Sequence, residues 1–186
     1  MRHHSKPIHE HFEMYRKFIS DEKLLESDRV ILREHKTRNN RQGGVGVVYS
    51  EIDGGKRFEA EISYGDRRKY KLRIFADRFG NAPCFRFDSF GRAHCNPEEG
   101  FGLLARQVLT PHFHRFNDHG DEIAFHSGLL KNPKEADKII NDPALGVQHF
   151  CQEANLKCDK KAYPELVVHQ GEMDLSIDDP LNGVSF

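Results

Sequence analysis

Apolar positions near the start of the chain recur at helical spacing. Ile8, Phe12, Tyr15 and Ile19 step by four, three and four, which lays them along one face of a helix. Ser20 and Asp21 offer a cap, and Leu24, Leu25 and the run Val30-Ile31-Leu32 continue the apolar face in a second segment. Residues 1–42 are therefore expected to form an N-terminal helical segment. The polar, glycine-ended stretch from Thr37 to Gly44 reads as a loop.

The period then changes from helical to alternating. Val45, Val47 and Tyr49 lead to Ile52, and the turn signal Asp53-Gly54-Gly55-Lys56 follows. Phe58, Ala60 and Ile62 alternate with Arg57, Glu59, Glu61 and Ser63. After Tyr64-Gly65-Asp66, the positions Tyr70, Leu72, Ile74 and Ala76 alternate with Lys69, Lys71 and Arg73. A hairpin closed at that turn sets Glu59 and Glu61 opposite Lys71 and Lys69. Asp77–Pro83 is a loop, and Cys84–Phe90 is a fourth strand with Phe85 and Phe87 on one side and Cys84, Arg86 and Asp88 on the other.

Residues 91–102 carry Gly, Pro and two adjacent Glu, a loop long enough to be functional. Leu103–Leu109 fits either a strand or a helical turn. His112–Phe116 alternates, Asn117–Asp121 is a turn, and Glu122–His126 is its return strand. The pattern becomes helical again at Asn132-Pro133-Lys134-Glu135, which has a capping residue, a proline at the first helical position and a Glu three residues after the cap. Asp142-Pro143 stops that helix and caps another, whose Val147, Phe150, Cys151 and Ala154 form one stripe. Leu166–Val168 reads as a last short strand or a packing segment. The acidic tail Gly171–Phe186 is expected to be loosely held.

These elements predict an α+β fold: one domain, a largely antiparallel sheet of five to seven strands, and helices at both chain ends. The core domain spans residues 43–170, between the helical segment and the tail 171–186.

Composition adds three constraints. Fourteen Phe and no Trp point to a core built on phenylalanine. A charged fraction of 31% and the lack of any long apolar run argue for a solvated, cytoplasmic protein without a membrane partner. The net charge of −1 hides an asymmetry, since residues 1–92 hold 20 Lys/Arg against 14 Asp/Glu. A basic half is compatible with RNA, and equally with attraction to the acidic half of the same chain. The cysteines Cys84, Cys95, Cys151 and Cys158 lack Cys-x-x-Cys spacing, which favours a reduced, intracellular chain.

Candidate chemistry concentrates between Cys84 and His126, where five of the twelve histidines lie. Residues two apart on a strand share a face, so His112 and His114 form one pair and Arg86 and Asp88 another. If these strands are neighbours, the four side chains meet, and His94 and Asn96 lie just beyond the strand end. One chemistry for this set is metal-independent phosphodiester transfer on RNA. His112 and His114 exchange protons, Arg86 holds the phosphorane, Asp88 orients an imidazole and His94 assists; Asn96, Arg73 and Arg115 are candidate substrate-binding residues. No cofactor is then needed. The alternative is a divalent transition metal held by His112, His114, His94 and Asp88. The bland reading makes the histidines ordinary strand residues and Arg86–Asp88 a structural ion pair.

Other motifs are weaker. Gly43-Gly44-Val45-Gly46 precedes a strand instead of opening a helix, so it is not a phosphate loop. Arg67-Arg68-Lys69 reads as a solvated hairpin tip, and Phe85, Phe87, Phe113 and Phe116 read as core.

The run Phe85-Arg86-Phe87-Asp88, then Gly91, His94, Asn96-Pro97 and His112-x-His114-x-Phe116, resembles an uncharacterised family of bacterial and phage-borne proteins. Phe150–Leu156 looks similar to the closing segment of that family. The likeness spans residues 70–157, and this chain departs from it by the insertion Glu98–Val108. Some toxin-like proteins have a similar Arg/Asp/His arrangement. The resemblance implies the location of the site and, through the toxin-like proteins, favours nucleic acid. The leading expectation is thus a toxin-like RNA-acting protein with a small antitoxin-like partner; the alternatives for the same cluster are a non-catalytic binding or regulatory module of a mobile element, or a metal-dependent hydrolase.

Overall fold

In a computed structural model, residues 4–34, 40–97 and 106–168 are described. The fold is α+β. Helices α1 (Lys6–Glu10) and α2 (Phe12–Ser20) open the chain, α3 (Pro133–Asn141) and α4 (Pro143–Glu153) lie near its end, and a large curled sheet fills the middle. The strands are β1 (Lys23–Leu25), β2 (Arg29–Glu34), β3 (Arg41–Tyr49), β4 (Lys56–Ser63), β5 (Tyr70–Ala76), β6 (Phe85–Asp88), β7 (His94–Cys95), β8 (Gln107–Val108), β9 (His112–Phe116), β10 (Glu122–Phe125), β11 (Leu156–Cys158) and β12 (Glu165–Val168).

Ten of these strands make one sheet, which is larger than expected and mixed. From one edge the order is β10-β9-β6-β5-β4-β3, every neighbour antiparallel. The free side of β3 is then shared. Its early residues Gln42 and Gly43 pair with β2, and its late residues Val48 and Tyr49 pair with β1. Two parallel strands complete the edge, β12 on β2 and β11 on β1. The sequence signalled β12, at Leu166–Val168, but not the pairing of β11 on β1, because three-residue strands show too few alternations to establish a period.

The N-terminal expectation holds in its first half. Ile8, Tyr15 and Phe18 are buried, with the helix broken at His11. The second half is corrected: Leu24, Leu25 and Val30–Leu32 are strand, with Leu25, Val30 and Leu32 buried and Leu24 and Ile31 exposed. Residues 41–44 are likewise strand instead of loop. A Cβ on Gly44 would meet Val30 and the Ile31 carbonyl at 2.7 Å, and one on Gly46 would meet Leu25 at 2.8 Å. The missing side chains let β1 and β2 lie close against β3. Residues 35–39, which include the start of the expected loop Thr37–Gly44, the stretch 98–105 and the tail Gly171–Phe186 fall outside the described residues.

The helical predictions after Ser127 are met. Asn132 caps α3 by accepting from the Lys134 N–H, and Asp142 caps α4 by accepting from the Ala144 and Leu145 N–H groups. Val147, Phe150, Cys151 and Ala154 are buried, and Phe150 lies 5.5–5.7 Å from the rings of Phe85 and Phe58. One sheet face therefore carries the aromatic core, with Phe58, Phe85, Phe87 and Phe113 all inside. Tyr15 ties α2 to it, donating to the Cys84 carbonyl and accepting from the Phe116 N–H, each at 2.9 Å.

Alternation sends the intervening side chains to the opposite face: Glu59 and Glu61 of β4, Lys71 and Arg73 of β5, Arg86 and Asp88 of β6, His112 and His114 of β9. The register of β4 against β5 differs by two residues from the expected one. Glu59 pairs with Arg73 and Glu61 with Lys71, because the turn closes later, with the Lys69 N–H donating to the Asp66 carbonyl. Lys69 instead lies 3.6 Å from Asp66.

Candidate functional site

The polar face becomes a buried cluster where β6, β9 and β10 run side by side. Arg86 is opposite His114 and Asp88 opposite His112, so the two pairs expected from sequence do face each other. The hairpin β7–β8 covers them. Its Asn96 is buried and holds the outer edge of β10, accepting from the Ala124 N–H at 2.8 Å and donating to the Ala124 carbonyl at 2.9 Å. A side-chain amide thereby supplies the pairing that a further strand would give. This clamp brings the His94 ring to 4.9 Å from that of His114 and 6.4 Å from that of His112, while His112 and His114 are 4.5 Å apart.

Glu122, on β10, is the member that sequence reasoning missed. It lies one diagonal step from His114, since Ala124 pairs with His114 and Glu122 with Phe116. The same alternation that paired the histidines would have placed it there. Each nitrogen of His114 faces a carboxylate, with Nε2 3.4 Å from Asp88 and Nδ1 3.6 Å from Glu122.

Arg86 sits in the middle. Its Nη2 is 3.1 Å from His114 Nδ1, 3.0 Å from His114 Nε2 and 3.3 Å from Glu122, and its Nε is 3.4 Å from Asp88. The lone pairs of the two imidazole nitrogens diverge, so one amino group equidistant from both cannot lie in the ring plane without striking the carbon between them. Nη2 therefore lies out of the imidazole plane, close to both ring nitrogens. The guanidinium links two carboxylates through one imidazole.

The surroundings neutralise the charges. Lys71 approaches Asp88 at 3.6 Å, and Arg73 bridges Glu59 and Glu61 at 3.7 and 3.3 Å. Burial works to raise the Asp88 pKa, but the hydrogen bond from His114 and the charges of Arg86 and Lys71 outweigh it and hold the carboxyl well below its usual range. For His112, burial and then the neighbouring His114 push the pKa down to about 4; burial and His114 also lower that of His94. Both shifts favour the neutral ring. His94 Nε2, His112 Nδ1 and Asp88 Oδ1 are buried without a hydrogen-bond partner among the described residues.

No family model, curated protein or solved structure matches this chain. The resemblance to a bacterial and phage-borne family therefore rests on its motif residues alone.

Of the residues picked from sequence, the structure brings together His94, His112, His114, Arg86 and Asp88. Asn96 has a structural place on β10. Arg73 lies on the site face, beside Arg86 in register, yet is engaged by two glutamates. Arg115 points to the other face, its guanidinium 4.8 Å from the centre of the Phe125 ring, and has no part in the cluster. His112 and His114 are both buried, 1% and 3% exposed, with His112 packed against His114, whereas His94 is half-buried at the rim. Phe85, Phe87, Phe113 and Phe116 are core, as expected. Cys95 is exposed, and the other three cysteines are buried; all four are free thiols. No helix among the described residues is long and apolar enough to cross a membrane.

Proposed function

We propose that the cluster cleaves RNA by metal-independent phosphodiester transfer. The observation that carries this reading is the Arg86 guanidinium lying within 3.0–3.4 Å of His114, Asp88 and Glu122. A fixed cation among imidazoles is what a phosphorane needs, and here it stands between the donors that would otherwise surround a metal ion. Without a metal-activated water, the most accessible nucleophile on a nucleic acid is the ribose 2′-hydroxyl, which selects RNA.

In this mechanism His94, neutral and at the rim, takes the 2′-hydroxyl proton while O2′ bonds to phosphorus. The incoming phosphate draws Arg86 off the His114 ring. The guanidinium then holds the equatorial oxygens, and its movement opens the buried His114, which in its doubly protonated form gives one proton to the departing 5′ oxygen as the P–O5′ bond breaks. The products are a 2′,3′-cyclic phosphate and a 5′-hydroxyl. Asp88 and Glu122 orient His114, and His112 packs against it from below. In the presence of chelator, purified protein should generate cyclic-phosphate ends from unstructured RNA, and His94→Ala and Arg86→Ala should each lower the rate by about 100-fold or more. Wild-type protein no more active than Arg86→Ala would remove the basis for this reading.

One observation favours a second reading. Two donor triads, Asp88-His112-His114 and His94-His114-Glu122, have ligand atoms within 4.8 Å of one another and share His114. A divalent transition metal on either triad would make the chain a metal-dependent hydrolase, but Arg86 would first have to leave. Stoichiometric zinc or another transition metal in the purified protein, lost in His114→Ala, would favour this alternative.

A further inference from the structure

Beyond the last pair of the β5–β6 ladder, Lys71 with Asp88, the same register continues for one more step. Ser89 locks it: its hydroxyl accepts from the Tyr70 N–H at 2.8 Å and contacts the Arg68 and Tyr70 carbonyls at 2.6 and 2.9 Å. The next residue, Phe90, accordingly stands opposite Lys69, whose ammonium lies 4.8 Å from the ring centre. Three pairs thus follow one another on the site face: Arg73 with Arg86, Lys71 with Asp88, Lys69 with Phe90. Steps of two residues separate them by roughly 6.5–7 Å each.

Phe90 is out of place by the logic of this chain. The phenylalanines of the preceding strand β6, Phe85 and Phe87, are in the core, yet Phe90 is 54% exposed. It is also rigidly presented, because the serine before it is buried and tied to β5. Around it the tip carries Arg67, Arg68 and Lys69 against Asp66, which pairs with Arg68 at 2.9 Å and with Lys69 at 3.6 Å. A flat apolar ring in a basic surround, two such steps from the Arg86 phosphate site, is the combination that holds an unpaired base.

We propose that Phe90 is a stacking platform for an unpaired nucleobase two nucleotides along from the cleaved linkage, with Lys69 and Lys71 on the intervening phosphates. The assignment rests on the RNA-cleaving reading and makes it more specific, since bases already stacked in a duplex cannot use the platform. The substrate is then single-stranded RNA or a loop.

The chain has no Trp, so Phe90→Trp introduces a single fluorophore at the platform. Titration with an uncleavable single-stranded 2′-O-methyl oligonucleotide should quench it. Ile31→Trp, exposed on β2 at the far end of the sheet, should not respond. Phe90→Ala should weaken binding of the labelled oligonucleotide, followed by anisotropy, roughly tenfold, the loss of one base stack. Unchanged Trp emission at saturating oligonucleotide would overturn the platform while leaving the RNA-cleaving reading intact. Quenching without any cleavage by wild-type protein would keep the platform and sink the catalytic reading. Absence of binding by anisotropy would overturn both. A change in sedimentation of Phe90→Ala with oligonucleotide affinity unaltered would assign the ring to a protein contact and refute the proposal.

Discussion

Replacing Asn96 by Ala tests whether the site depends on a side-chain clamp. The Asn96 amide makes two bonds of 2.8 and 2.9 Å to the backbone of Ala124, a residue with no exposed surface. Truncation leaves the Ala124 N–H and carbonyl without these partners in a place water does not reach, and each such group costs about 1–3 kcal/mol. The expected loss is therefore about 2–6 kcal/mol in the free energy of unfolding, read as a lower urea midpoint at unchanged slope. Asn96→Asp should fall between, because the carboxylate can still accept from the N–H but cannot donate to the carbonyl. Hydrogen exchange supplies the local readout: the Ala124 amide should lose protection in Asn96→Ala more than amides of β4. If the variant lies within about 0.5 kcal/mol of the parent and Ala124 stays protected, the clamp is not what holds β7 against β10. The same variant should lose RNA cleavage beyond its loss of stability, since His94 is carried by that hairpin.

Three further outcomes follow from the packing and the charges. His112 has an ordinary pKa of 6.5 and a folded value of about 4. Between those pH values the unfolded chain binds a proton that the folded chain refuses, so stability should fall as pH drops through that window, by about 3 kcal/mol in all. Chemical denaturation at pH 7 and pH 4 checks this, and His112→Gln should lose less stability over the same interval. Tyr15→Phe removes the hydroxyl joining α2 to Cys84 and Phe116 and should cost about 1–3 kcal/mol by thermal or urea unfolding. Gly146→Ala, helpful in an isolated helix, should instead lower the melting temperature. Its methyl would collide with the Tyr70 ring, which is buried and donates to the Ile139 carbonyl, an overpacking cost of about 1–3 kcal/mol.

The site was legible in the sequence where strand alternation alone determined it. His112 and His114 on one strand and Arg86 and Asp88 on another needed only adjacency, which the sheet provides. What was not legible depended on register and depth. The turn around Asp66 closes two residues later than its glycine suggested, which moved Glu61 from Lys69 to Lys71. Arg115 failed as a site residue because odd positions on β9 face the core side. Glycines 44 and 46 read as loop because their function is to make room, and room for a neighbouring strand leaves no trace in the local pattern. Asn96 read as a substrate contact because nothing in a one-dimensional pattern distinguishes an amide aimed at a ligand from one aimed at a neighbouring backbone.

The shared edge of β3 also bears on how the chain assembles. Strands from the first 34 residues receive their parallel partners only from residues 156–168, so that flank of the sheet stays open until most of the polypeptide exists. The hairpins bearing the His/Arg/Asp cluster close over far shorter separations. A growing chain would thus acquire its chemistry before its far border, with unpaired backbone exposed on β1 and β2 in the interval. Entropy of long-range closure makes that final docking the slow step, and the open border is where a foreign strand could insert itself first.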